Sequence, residues 1–541
     1  MFVPELTPEL ILLARRCYTA ERAARHASAI AIARGRVIAV GPRRSVVHLR
    51  RPPTRVLDLG HAVITPGLVD CHTHFFYWAL SRSLVIDLST LHSLNAALHE
   101  MHRLARRRRV GDWVLARGFD HNRWGSGLPR AADLDAVVPD CPALVRSHDG
   151  HTAWLNSAAL RRIGLTASRS DPKGGRYVRD RHGRPTGVVQ EAAIDLLPDP
   201  LRDFARRTDA EARRVIDRAL AAAYSVAWAH GVVAVHSMDD GVSLSHLQRQ
   251  HADRRLGVRV THAVPLASLS AACDLGLRSG FGDGWLRIGG IKVFADGALG
   301  SQTAYMFEPY PGRGDYCGVP VVAGDELRDT VRNLAQHGWA AWIHAIGNRA
   351  VHEAIDAIIA AGGAKGTLLP HRIEHAQCVR PDDVRRMARA KIIASVQPSH
   401  LLVDIAVADQ HWPRARRNAF PLRSLIDAGV TLAAGSDVPI EALDPRRSLY
   451  AATMRMDEQG RPVGGWLPRQ RVRTREALRA FTRGAAAAVG LPPPAGTLAP
   501  GAPADLTIWA EDPFRVEPGA LLDVGILGCV VDGQLHLASE S

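Results

Sequence analysis

The sequence predicts an α/β protein: a TIM-type (β/α)8 barrel with a large insertion after strand 1, plus a small composite β-sandwich from the N- and C-terminal segments. Three observations carry this. Eight short apolar runs alternate with helix-length segments, as in parallel α/β architecture. About 150 residues separate the first two runs, far more than one crossover needs. Both chain ends are rich in short strands punctuated by glycine and proline, and termini commonly meet on one domain. With 541 residues, 46% hydrophobic and 23% charged, the composition suits one large barrel with attachments.

The N-terminal segment holds the run Ala29–Gly41, which alternates around a turn at Arg34–Gly35, and RVLDL after Pro52–Pro53. GTLAPGAPADLTIWA and ILGCVVDGQLHLA are their counterparts near the other end, so residues 1–63 and 487–541 are assigned to the sandwich. Residues 64–486 are assigned to the barrel. Its strands are expected at Val63–Asp70, Val232–His236, Val258–Ala263, Ile288–Ala295, Ala340–His344, His371–His375, Ile392–Gln397 and Thr431–Ser436. Helix-length patterns such as Glu326–His337, Ala350–Ala361 and Pro381–Ala390 lie between them. The insertion, residues 76–228, carries a helix at Ser93–Arg107, strands at Trp113–Gly118 and Ala143–Ser147, and a hairpin in GGRYVRDRHGRPTGVV. An insertion at this point belongs to the C-terminal mouth of a barrel, where it is expected to act as a lid.

The net charge of +14 does not point to nucleic acid. Of 68 basic residues only four, Lys173, Lys292, Lys365 and Lys391, are lysines, so the excess reflects arginine use along the whole chain. No run of about 20 apolar residues exists to span a membrane. The start MFVPELTPEL has acids where a signal peptide needs a basic start and an apolar core. Seven scattered cysteines without a CxxC pair fit a reducing compartment. A cytoplasmic protein is expected. Its partners are a small-molecule substrate and, at most, a second copy of itself in a homodimer, with no nucleic acid and no membrane.

The chemistry-bearing residues stand at strand ends. In ITPGLVDCHTHF an apolar run ends in His72-x-His74, whose alternation puts both imidazoles on one face, able to reach one metal ion. Cys71 has the opposite parity and is assigned to packing. AAWIHAIG ends in His344, PHRIEHAQ in His375 and TLAAGSDVP in Asp437, each after a short apolar run where barrel catalysts sit. Any one of these fits a core histidine or a helix cap; four strand ends agreeing point to a single metal site. Lys292 lies in the apolar strand of GGIKVFADGALGS, in a chain that otherwise favours arginine. A buried bare ammonium is costly. Three roles are open: an ion pair with Asp296, a Schiff-base amine, or a carbamate that ligates metal, the last favoured by the neighbouring histidines.

Taken in order, PGLVDCHTHF, IKVFADGALGS, HAIGNRAVHEAI, HRIEHAQ, SVQPSH and GSDVPIEALDP resemble the amidohydrolase superfamily, within it the family 3 branch that includes N-substituted formamide deformylase-like metal-dependent hydrolases. The likeness extends to RGRVIAVG, RSHDGHTAWLNSAAL, TGVVQEAA and GTLAPGAPADLTIW, so it spans nearly the whole chain. It implies one or two divalent metals, most often zinc. His72 and His74 would hold the first, Lys292 as a carbamate made from carbon dioxide would bridge, and His344 and His375 would hold the second. Asp437 would ligate the first metal and shuttle the proton. One departure stands out: the family's HAIGD is HAIGN here, with Asn348, which would weaken any support that this position gives His344.

The chemistry expected is metal-dependent hydrolysis of a non-peptide carbon–nitrogen bond in an amide-like substrate, N-formyl or cyclic amides included. Metal-bound hydroxide attacks the carbonyl, and Asp437 acts as general base and then acid toward the leaving nitrogen. His151 and Trp124 in the insertion, and Gln397 and His400 after the seventh strand, are candidate substrate contacts. An ester or organophosphate hydrolase on the same metals, and a catalytically silent barrel serving as an assembly protein, are the alternatives.

Overall fold

The structure, a computed structural model, describes residues 6–19, 27–107, 109–110, 112–125, 127–147, 152–172, 175–191, 193–363 and 365–538. The chain forms two compact units, residues 1–75 with 223–541, and residues 76–222.

The first unit is built around eight parallel strands in sequence order. They are Leu68–Thr73, Val232–Ser237, Arg259–Pro265, Leu286–Phe294, Ala341–Ala345, Arg372–His375, Ile393–Val396 and Leu432–Ala434. Most of their residues are buried because helices cover one face and barrel-core side chains fill the other, so the strands read as apolar runs rather than alternating ones. The first and eighth strands meet through a parallel bridge between Thr73 and Val438. Asp437 N donates to His72 O at 2.7 Å and His74 N to Val438 O at 2.8 Å. Asp70 reinforces the seam: its Oδ1 accepts from Ser436 N at 2.9 Å and His72 N at 3.2 Å.

The expected run Val63–Asp70 needs correction, because it belongs to two sheets. Val63–Pro66 pairs with Leu506–Trp509, and the barrel strand starts at Leu68. Gly67 makes the crossing: a Cβ there would lie 2.5 Å from Val233 Cγ2. Both sheets bury this stretch, so the sequence shows no break in apolarity.

Two sheets from the chain ends complete this unit. One is wholly N-terminal, in the order Arg36–Gly41, Ala29–Ala33, Leu10–Leu13, Arg55–Asp58. The other joins Arg16–Cys17 and Val63–Pro66 to Leu506–Trp509, Ile526–Val531 and Gln534–Leu537. They share a core of Leu12, Ile30, Ile32, Ile64, Leu506, Ile508 and Val530. Arg259, which opens the third barrel strand, reaches Asp505 at 2.7 Å and Asp532 at 2.9 Å and ties the barrel to this sandwich.

The second unit has a six-stranded sheet. The expected helix is there as Leu94–Ala105, with Ser93 Oγ accepting from Ala96 N, and the hairpin pairs Gly175–Arg179 with Pro185–Glu191. Among the described residues no helix is long and apolar enough to cross a membrane.

The barrel seam leaves no room at Gly435, where a Cβ would sit 2.5 Å from His72 N and 2.6 Å from Asp70 Oδ1. Overpacking of this kind costs about 1–3 kcal/mol. Gly435→Ala should therefore lower the thermal midpoint in calorimetry; an unchanged midpoint would show that the seam yields freely.

Candidate metal centre

Several barrel strands end in one buried cluster. His72 Nε2 and His74 Nε2 lie 3.6 and 3.7 Å from the same atom, Asp437 Oδ1, so the first and eighth strands point their donors at one place. The His375 ring centroid is 4.8 Å from that of His72 and 4.4 Å from that of His344. Among the described residues, His72, His375 and Asp437 form the one set whose donor atoms all lie within 4.8 Å of each other. The backbone is bent to bring them there. His375 and Asp437 take φ of 72° and 61°, left-handed values that non-glycine residues rarely adopt unless the surroundings enforce them.

Hydrogen bonds decide which imidazole nitrogens are free. His72 Nδ1 lies 2.7 Å from Glu374 Oε2; the carboxylate can only accept, so Nδ1 carries the proton and Nε2 keeps a lone pair. His344 Nε2 donates to the Gly297 carbonyl at 3.0 Å, which leaves Nδ1 as its lone-pair atom. Burial holds His72 and His375 well below the usual imidazole range and lowers His344 to about 3. On His74 burial acts the same way, but Asp239 and Asp437 outweigh it and the pKa is raised.

Lys292, only 5% exposed, places Nζ 3.3 Å from His72 Nε2 and 5.0 Å above the Phe294 ring. Among the described residues it has no ion pair. The Asp296 pairing considered from the sequence is not formed: that carboxylate accepts from Tyr305 N, Ile346 N and Gly347 N. Burial pulls the Lys292 amine down to about 8, against the fields of Glu374 and Asp437.

The donor set fits a divalent cation. Buried His375 Nδ1 and His400 Nε2 have no hydrogen-bond partner, and an unsatisfied buried polar atom is expensive. Burial also pushes the carboxyls of Asp437, Asp70 and Asp296 upward, the last two to about 7. A cation at Asp437 would reverse that cost there, whereas Asp70 and Asp296 are held by backbone N–H groups. Neutral imidazoles with carboxylates are the ligands that zinc and similar ions take.

The remaining candidates divide. His400 Nε2 is 3.7 Å from Asp437 Oδ2 and its Nδ1 is 3.2 Å from Gln377 Nε2, so it joins the cluster. Gln397 is buried after the seventh strand, with Nε2 at 3.4 Å from the Ser395 carbonyl. Trp124 packs in the insertion's own core beside Phe119, and its indole N–H donates to Leu91 O. His151 and its neighbour His148 lie outside the described residues. Asn348 does not orient His344. Its Oδ1 accepts from Phe307 N at 2.8 Å and its Nδ2 donates to Glu308 Oε2 at 2.9 Å, so it anchors the loop that follows the fourth barrel strand.

Sequence reasoning missed the residues behind the ligands. Arg372 and Glu374 are fully buried on one face of the sixth strand. Arg372 Nε lies 2.8 Å from Glu374 Oε1, and its Nη2 donates to Glu374 Oε2, Cys71 O and Ser395 Oγ at 2.7–3.0 Å. His236, at the end of the second strand, presents Nδ1 to Arg372 Nη1 at 3.0 Å. Two opposite charges at i and i+2 of an apolar strand were the available signal, since buried charges need partners. Asp239, 3.6 Å from His74 Nδ1, completes the support. Beside Lys292 opens a cavity of about 340 Å3, lined by Met238, Pro265, Leu266, Phe294 and Val321 together with Asp239 and Asp240.

Residues 55–536 match the model of the amidohydrolase family. The chain is 28% identical to the N-substituted formamide deformylase of Arthrobacter pascens over 94% of this chain and 95% of that protein. It is 29% identical to LONG AFTER FAR-RED 3 of Arabidopsis thaliana, covering 94% and 88%. Among solved structures, a metal-dependent hydrolase of Pyrococcus horikoshii superposes with a TM-score of 0.78 at 25% identity, over 94% of this chain and 99% of that one.

Elemental analysis should find divalent metal in the purified protein and little in His72→Ala. Glu374→Gln should fold and still weaken metal binding about 10- to 100-fold, the usual loss when a ligand's hydrogen-bond partner is weakened. Metal content equal to wild type in both variants would remove these residues from the centre.

Proposed function

The chain belongs to the amidohydrolase family and is a hydrolase of carbon–nitrogen bonds other than peptide bonds, and from this premise we propose that it cleaves small amide-like substrates, N-formyl or cyclic amides among them, at a centre formed by His72, His74, Lys292, His344, His375 and Asp437. One observation carries the proposal: His72 and His74 converge on one oxygen of Asp437, while His400 faces the other. The imidazole-rich donor set favours zinc. The formyl preference draws on the formamide deformylase relative, and the apolar wall beside Lys292 suits a hydrocarbon substituent on nitrogen.

When bound, a divalent ion lowers the pKa of water toward neutrality and polarises the scissile carbonyl. The chain supplies the rest. Asp437 takes the proton from the attacking water and delivers it to the nitrogen as the carbon–nitrogen bond breaks, so the amine leaves neutral. Glu374 keeps His72 in a single tautomer throughout. Lys292, as a neutral amine, adds to carbon dioxide; a nitrogen–carbon bond forms, a proton is released, and the carbamate brings the anionic charge that two cations need. Arginine cannot do this, since its guanidinium stays protonated.

Asp437→Asn should retain most bound metal and lose about 100-fold or more in turnover on formamides and cyclic amides, the range of a general acid–base group. Activity within about tenfold of wild type would remove Asp437 from proton transfer.

Reconstitution of metal-stripped protein should require bicarbonate to reach two metals per chain, and Lys292→Arg should not reach it. An intact mass without the carbon dioxide adduct, in protein carrying two metals, would exclude the carbamate.

A further inference from the structure

A second and larger cavity, of about 640 Å3, lies among residues that begin the barrel strands, Val69, Ala234, Thr261 and Arg287, at the opposite end from the metal centre. Arg287 and Lys292 are on one strand, and five residues at roughly 3.3 Å each separate them by about 16 Å. Loop 491–497 and the sandwich supply the outer wall. The volume is that of a small-molecule site.

The charges around this cavity do not cancel. Arg259 is committed to Asp505 and Asp532, and Asp283 to His251 at 2.8 Å and to the N–H groups of Trp285 and Leu286. Arg34 and Arg36 stand exposed at the rim, Arg36 donating to Gly501 O. Arg287 is left over. Among the described residues no carboxylate lies within ion-pair distance of its guanidinium, whose one hydrogen bond there is a long 3.4 Å contact with Val489 O. Burial lowers its pKa, the mark of desolvation without a compensating charge. The surfaces nearby are apolar: Val69, Val233, Ala486 and Val489.

We propose that this cavity binds a small organic carboxylate, its anionic head paired with Arg287 and its apolar body against Val69, Val233, Ala486 and Val489. A guanidinium fork matches a carboxylate in a bidentate pair, and the shielding already present makes that pair stronger than one in open solvent. The cavity shares none of the proposed metal ligands and does not depend on the reaction assigned there; its inner wall reaches His236, which meets Arg372 Nη1 at 3.0 Å behind the metal centre.

Calorimetric titration of the full chain with benzoate, at fixed ionic strength against chloride, tests the proposal. Saturable one-site binding in the millimolar range or tighter is expected. Arg287→Leu should weaken it about tenfold or more, as loss of a charged hydrogen bond does. Ala486→Phe, which fills the apolar wall without touching the charge, should weaken it too and carries the test if Arg287→Leu does not fold. His72→Ala should bind benzoate as wild type does, which separates this cavity from carboxylate capture at the metal. The proposal is overturned by absence of saturation, by equal binding in Arg287→Leu or Ala486→Phe, by loss in His72→Ala, or by a site that takes inorganic phosphate and refuses benzoate.

Discussion

The candidate centre depends on one buried contact, that of Glu374 with His72. Neither side chain has appreciable contact with solvent, and 2.7 Å separates Oε2 from Nδ1. A carboxylate in such a place must be compensated from within, because removing one partner of a buried pair costs about 3–5 kcal/mol. Arg372 provides the compensation, and it is itself compensated by Glu374, the Cys71 carbonyl, Ser395 and the Trp342 ring 4.0 Å away. The chain of contacts therefore starts from strands one, two, six and seven and finishes on one imidazole whose free nitrogen faces Asp437. Orientation of the first donor is set by the barrel core, not by a loop.

The seam between first and eighth strands couples closure to the site in the same way. Asp70 bonds to the backbone of both strands, and Asp437 donates its own N–H to His72 O. Closing the barrel is thus the same event as bringing Asp437 to the two histidines. Left-handed φ at His375 and Asp437 shows what this placement demands, since each costs of order 1–3 kcal/mol that the surrounding structure must absorb.

Much of this was legible in the sequence, for identifiable reasons. Buried parallel strands show as apolar runs, and a polar residue that ends such a run is conspicuous; His72, His344, His375 and Asp437 were visible in this way. What stayed hidden has equally physical causes. The run Val63–Asp70 is apolar throughout because two different sheets bury it, so periodicity could not show the turn at Gly67. Asn348 follows His344 closely in sequence, yet a helix N-terminus points it to Phe307 and Glu308 instead. Glu374 lies beside His375 in sequence, but its partner, His72, is more than 300 residues away. Long-range pairing of this kind leaves no local pattern to read.

Two cations inside the same barrel make a final contrast. Arg372 is surrounded by acceptors and gives its charge to Glu374. Lys292 has an imidazole nitrogen at 3.3 Å and an aromatic face at 5.0 Å, and among the described residues no carboxylate within ion-pair reach. A guanidinium cannot lose its proton under any condition a folded protein meets, so position 372 must supply anions. An amine can, and burial has already moved Lys292 to about 8, where about a tenth of it is neutral at pH 7. The two environments differ accordingly: one fixes a charge among acceptors, and the other leaves an amine without an anionic partner, which is what the carbamate proposed for Lys292 requires. On that proposal arginine could not replace Lys292, in a chain where only four of 68 basic residues are lysine.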